Sequence, residues 1–210
     1  MKETIQRRYD YFSNKIIKNF NLSILDEYKL EESLKNHMFR VSEYSELLAS
    51  LMSLNSKNIK LIKQGALLHD IGKKKINSKI LNKPFKLTFE EFEVMKKHSE
   101  LGLSMLNKKY MINTIENIIV FHHEKWNGNG YPFGLKGNNI PLEARIVSIA
   151  DFYDALTSER VYKDRISHEK VLEMLKNESG KSFDPDIVDI FEIFESRFRK
   201  VLEKYNENKR

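Results

Sequence analysis

Apolar residues in this chain recur at intervals of three and four, and nowhere do they alternate. Over residues 26–52, Leu30, Leu34, Met38, Val41, Tyr44, Leu47, Leu48 and Leu51 keep that spacing, which predicts one helix with one buried face. His37 stands next to that face. A second helix is expected over 56–70, with Ile59, Ile62, Ala66 and Leu67 inward and Gly72 as its C-terminal stop. Thr88 and Glu91 have the spacing of a capping box, and Leu87 and Phe92 that of a hydrophobic staple, so a helix opens there and carries His98 in its third turn. Asn113 with Glu116 starts a helix that runs into His122 and His123. Pro141 suits the first turn of a helix bearing Ile146, Val147, Ile149 and Asp151. Ser167 caps another, and Asp184-Pro185 opens a last one, with Ile187, Ile190, Phe191, Phe194, Phe198 and Val201 inward. The expected fold is all-α.

One stretch breaks the helical pattern. Residues 125–141 hold four of the eight glycines, two of the four prolines and the only tryptophan, and a loop of this length with its own aromatics is more often functional than a connector. It follows directly on His122-His123-Glu124. Five of the six histidines, His37, His69, His98, His122 and His123, fall in a series that His69-Asp70 and Asp151 complete. The sixth, His168, follows the cap Ser167, fits no ligand position and reads as an ordinary exposed residue.

With 210 residues the chain fits one domain. The absence of cysteine excludes disulfides, zinc-thiolate sites, iron–sulfur clusters and cysteine nucleophiles, and leaves imidazole, carboxylate and water as metal ligands. Such donors suit iron, manganese, zinc or similar divalent ions. The formal charge of +6, from 36 basic and 30 acidic residues, is spread over lysine-rich helical faces; it suits an anionic ligand and lacks the concentrated stripe of a nucleic-acid binder. No apolar run has the length of a membrane span, and Met1-Lys2-Glu3-Thr4 leads into mixed charge, so a cytoplasmic protein without membrane partner is expected. His69 and Asp70, adjacent at a helix end, can face different metals, with the two oxygens of Asp70 bridging them. Two metals about 3.5–4 Å apart can share a hydroxide and clamp the attacking and leaving oxygens in phosphoryl transfer.

His37, His69-Asp70-x-Gly72-Lys73, His98, His122-His123-Glu124, Gly130-Tyr131-Pro132 and Asp151-x-x-Asp154-Ala155-Leu156-Thr157 together resemble the HD-GYP family, over about residues 33–190. The resemblance implies an HD-superfamily helical bundle, with residues 26–210 as the catalytic domain and residues 1–25 as a helical extension of unknown role. It implies a metal-dependent phosphodiesterase that hydrolyses cyclic di-GMP to linear pGpG, possible continuation to GMP included, through a metal-bridging hydroxide. Alternatives are a non-catalytic cyclic-dinucleotide sensor or docking protein, and an HD phosphohydrolase for another nucleotide. Diguanylate cyclases or adaptor proteins are the implied protein partners.

Carried over by motif, one metal takes His37, His69, Asp70 and Asp151, and the other Asp70, His98, His122 and His123. Iron or manganese comes first, with zinc, nickel, cobalt or magnesium as substitutes. Lys73 resembles the lysine that faces the scissile phosphate, although spacing alone equally makes it a cation easing a helix end. Tyr131 borders the substrate, and Arg160 and Lys163 match positions that hold phosphate oxygens. Asp154 is either a surface acid or an orienting partner of a ligand histidine. Trp126 and Phe133 either stack on a purine or pack the loop. Some family members hold a third metal partly through a glutamate four residues before the first histidine; here that residue is Ser33. Glu32 and Glu31 lie five and six residues before His37, each rotated about 140° from it around the helix. A two-metal site is expected.

Overall fold

In the computed structural model, residues 25–158 and 165–207 are described. They form α1 (Glu32–Leu51), α2 (Ser56–Leu68), α3 (Ser78–Leu81), α4 (Phe89–Lys96), α5 (His98–Met105), α6 (Asn113–Phe121), α7 (Leu142–Thr157), α8 (His168–Asn177), α9 (Pro185–Ile193) and α10 (Glu195–Glu207), with short 3₁₀ turns at Ile71–Lys75, Lys108–Tyr110 and Gly137–Asn139. Among the described residues there is no strand, only the isolated bridges of Asn127 with Lys136 and Ser179 with Phe183. The all-α expectation holds. The expected helix boundaries hold less well, and the expected extension over residues 1–25 lies outside the described residues but for its last one.

Helix α1 begins six residues later than its periodicity suggests. Lys29 takes φ 48°, a left-handed conformation that a helix of L-residues cannot continue through, and Glu31 is extended at the N-cap. Helix α2 stops at Leu68, and Asp70 precedes the 3₁₀ turn that contains Gly72. Gly72 is therefore no helix stop. A Cβ there would lie 1.9 Å from the carbonyl oxygen of His98, so glycine is needed because the turn lies directly against the first turn of α5. The helix expected to carry His98 in its third turn is divided: bonding tightens to Lys97 N–H donating to Val94 O at 3.2 Å, and α5 starts anew at His98. Phe194, with φ −110° and ψ 21°, likewise separates α9 from α10 where one helix was expected. The capping box of Thr88 and Glu91 is present, and Ser167 and Asp184 cap α8 and α9 through the amides of Lys170 and Asp186.

The apolar interior forms two packed clusters. In one, Val41, Tyr44 and Leu48 of α1 meet Ile146, Val147, Ile149 and Tyr153 of α7, with Val171, Ile187, Phe191 and Phe198 from the C-terminal helices. In the other, Met38 and Phe39 meet Leu67, Leu68, Ile71, Ile115 and Ile119. Helices α1, α2 and α6 contribute buried residues to both clusters, and α7 to the first.

His168 overturns its sequence reading. It is buried at 5% exposure, with Nδ1 2.7 Å from the Tyr153 hydroxyl and Nε2 2.7 Å from a carboxylate oxygen of Glu195. Local sequence concealed this because both partners come from other helices. His168→Ala should leave the Tyr153 hydroxyl without its partner, at a cost of about 1–3 kcal/mol, with metal content unchanged. Thermal unfolding checks this as a fall of several degrees in Tm; an unchanged Tm would contradict it.

Candidate metal centre

His37 lies on the buried side of α1, His69 and Asp70 at the end of α2, His98 at the start of α5, His122 and His123 just past α6, and Asp151 and Asp154 within α7. These elements bring all seven expected ligands into one place. Asp70, His98, His122 and His123 offer ligand atoms within 4.8 Å of one another, and so do His37, His69 and Asp70. Asp151 adjoins the second group, with Oδ1 3.1 Å from His37 Nε2 and 3.9 Å from His69 Nε2.

Asp70 connects the two groups. Its Oδ1 is 3.3 Å from His98 Nε2 and 3.9 Å from His122 Nε2. Its Oδ2 is 3.3 Å from His69 Nε2, 3.6 Å from His37 Nε2 and 2.5 Å from Lys73 Nζ. One carboxylate oxygen thus serves each half, and the side chain is 1% exposed.

The fit to metal rests on unused donors. The buried Nε2 atoms of His69, His98 and His122, and Oδ1 of Asp70, have no hydrogen-bond partner, an arrangement that costs free energy unless something else binds them. On the opposite side of each ring Nδ1 is engaged. His69 donates to Ala66 O at 2.7 Å, His98 to Met95 O at 2.7 Å and His122 to Ile118 O at 2.9 Å. A carbonyl can only accept, so Nδ1 holds the proton and Nε2 is left with its lone pair, the state a metal ligand requires. The residues therefore fit divalent ions.

Local charge divides the centre. Burial opposes charge on His37, yet Asp151, Asp154 and Asp70 outweigh it and hold the imidazole pKa up at about 10. Burial and the neighbouring His98 push His123 down to about 3, and burial with His123, His69 and His98 holds His122 well below its usual value. Burial would raise Asp70 and Asp151, but Lys73 and His69 lower the first, and His37 and His69 the second, well below the usual carboxylate range.

Further residues fix the ligands and the loop from behind. Asp154 is fully buried; its Oδ2 lies 2.7 Å from His37 Nδ1, and Arg40 reaches it through two hydrogen bonds, of 2.6 and 3.0 Å. It is no surface acid but a buried neighbour of His37. Arg40 follows His37 by three residues, one helical turn on, the only sequence signal it had. Glu124, 2% exposed, accepts the amides of Phe133 at 2.7 Å and Leu135 at 3.0 Å, and so fastens the glycine-rich loop to the end of α6. A Cβ on Gly130 would lie 2.3 Å from Lys125 N, which explains glycine at that close approach. Tyr131 then stacks on His123, ring centroids 4.7 Å apart. Trp126 packs under the Arg145 guanidinium, 5.6 Å away, while Phe133 is 62% exposed. Lys73 touches Asp70, Ser33 is exposed, and Arg160 and Lys163 lie outside the described residues.

The family model for the HD domain matches residues 23–187. A protein of Vibrio cholerae named probable cyclic di-GMP phosphodiesterase is 35% identical, over 97% of this chain and 52% of its own length. The 3'3'-cGAMP-specific phosphodiesterase 2 of the same organism is 42% identical over 73% of this chain and 30% of its own. Among solved structures, Bd1817, an HDG"Y"P protein from Bdellovibrio bacteriovorus, matches with a TM-score of 0.62 at 26% identity, covering 77% of this chain and 53% of that one. The chain belongs to the HD-domain family, in its HD-GYP branch. It spans about half the length, or less, of these relatives. No helix among the described residues is long and apolar enough to cross a membrane.

Asp154→Asn keeps the shape of the His37 partner and removes its charge. It should weaken metal binding about 10–100-fold, whereas Asp70→Ala, which strips an oxygen from both halves, should remove most bound metal. Metal titration followed by elemental analysis checks the pair; equal metal content in Asp70→Ala and wild type would contradict the assignment.

Proposed function

We propose that this chain is a metal-dependent phosphodiesterase that hydrolyses cyclic di-GMP to linear pGpG in the cytoplasm, with residues 26–210 as the catalytic domain. The observation that carries the reading is Asp70, whose two oxygens face separate sets of buried, unpartnered imidazole nitrogens. His37, His69, Asp70 and Asp151 would hold one ion, and Asp70, His98, His122 and His123 the other, iron or manganese being the preferred occupants. Ions held there would supply Lewis acidity toward phosphate oxygens and an activated water nucleophile.

The chain's own residues supply the rest. Asp154 and Arg40 hold His37 in place, and the carbonyls of Ala66, Met95 and Ile118 keep three more imidazoles aimed inward. Lys73 places an ammonium beside Asp70, where it would stabilise negative charge developing on phosphate. Tyr131 walls the site next to His123, and burial raises its hydroxyl above the usual phenol range, so it stays neutral and can donate a hydrogen bond. The names of the relatives support a cyclic dinucleotide substrate. The 42% identity to a 3'3'-cGAMP-specific enzyme favours that hybrid dinucleotide as the second reading. A sensor without turnover is less well supported, because the complete buried donor set is what hydrolysis needs.

Metal-loaded protein should convert cyclic di-GMP to pGpG, with little onward release of GMP, as followed by chromatography of the products. Lys73→Ala should lower kcat about 10²-fold or more with metal content retained. Binding of the messenger without turnover by fully loaded protein would contradict the proposal, and rapid GMP accumulation without a linear intermediate would contradict the endpoint.

A further inference from the structure

Phe92 has more of its surface in water than its sequence setting explains. The spacing gives it the inner position of a hydrophobic staple, yet it is 45% exposed. Its ring meets that of Tyr131 edge-on, centroids 6.2 Å apart at 86°. Tyr131 in turn stacks on His123, which meets His98 edge-on at 5.0 Å. An aromatic row thus runs from the metal-binding imidazoles outward and ends at Phe92. Lys96, one turn further along α4 and two residues before His98, stands over both outer rings, its Nζ 5.7 Å from the Phe92 centroid and 5.8 Å from that of Tyr131. Glu93 pairs with it at 2.5 Å.

Resting on the phosphodiesterase reading above, we propose that Phe92, held by Tyr131 and edged by Lys96, is the stacking shelf for a purine base of the substrate. Two ring steps, of 4.7 and 6.2 Å, separate it from His123, which suits the reach of a ribose between a phosphate at the ions and its base. An exposed aromatic face stacks any base, and the ammonium above it adds attraction for a polyanion arriving at the site. Phe92, 45% exposed, is the better candidate than the half-buried Trp126. Phe133 is exposed but meets Phe121, at 5.9 Å, and not the Tyr131 row.

The test uses the full, metal-loaded chain as wild type, Phe92→Ala and Phe92→Trp, with calorimetric titration of GMP and of ribose 5-phosphate as its base-free counterpart. Wild type should prefer GMP. Phe92→Ala should weaken GMP binding about tenfold, within the range that base–aromatic stacking contributes, leave ribose 5-phosphate within twofold, and be rescued by Phe92→Trp. With cyclic di-GMP as substrate, Phe92→Ala should raise KM by a similar factor at constant kcat. Equal weakening of both ligands, unchanged GMP binding, or no wild-type preference for GMP would overturn the shelf. Failure of wild type to turn over either cyclic di-GMP or 3'3'-cGAMP would overturn the phosphodiesterase reading instead, and the GMP titrations would still decide the role of Phe92.

Discussion

The carboxylate of Asp70 is the constraint around which this fold is arranged. An anion 1% exposed is expensive to bury unless cations or donors surround it. Here Lys73 reaches one oxygen, and imidazole nitrogens from four different elements face both, so ions held between them would supply the remaining positive charge. Moving any of those elements breaks the set. The packing of α1, α2, α5, α6 and α7 therefore has to satisfy two demands at once, a filled apolar interior and a fixed polar centre.

Precision comes from the backbone as much as from side chains. Three histidines donate to carbonyls three or four residues earlier in their own chain segments, so each ring is oriented by its own segment. His37 differs: its anchor, Asp154, comes from α7, 117 residues away, and Arg40 completes that link between α1 and α7. Gly72 and Gly130 mark the two places where backbone must approach backbone, one bringing the Asp70 turn onto α5 and the other folding the loop onto the end of α6.

Much of this was legible in the sequence because it is periodic or local. The 3.6-residue spacing placed the main helices, the capping residues at Thr88, Ser167 and Asp184 behave as their types suggest, and the spacing of the histidines and aspartates singled out the groups that the fold brings together. What was not legible depends on distant parts of the chain. The breaks at Lys29, Lys97 and Phe194 have no proline or glycine to announce them. His168 looked exposed because its partners, Tyr153 and Glu195, lie 15 and 27 residues away. Glu124 stood inside a recognised motif, yet its task of holding the amides of Phe133 and Leu135 appears only once the loop has folded back.

The proposed function requires Asp70 to be shared by two metal ions, with no third held by the chain. Anomalous diffraction from crystals of the metal-loaded protein tests it most directly. Two strong peaks are expected, one on either side of the Asp70 carboxylate, the first among His37, His69 and Asp151 and the second among His98, His122 and His123, with none near Ser33. A single peak with one Asp70 oxygen left unligated, or a third fully occupied peak held by protein side chains, would contradict it.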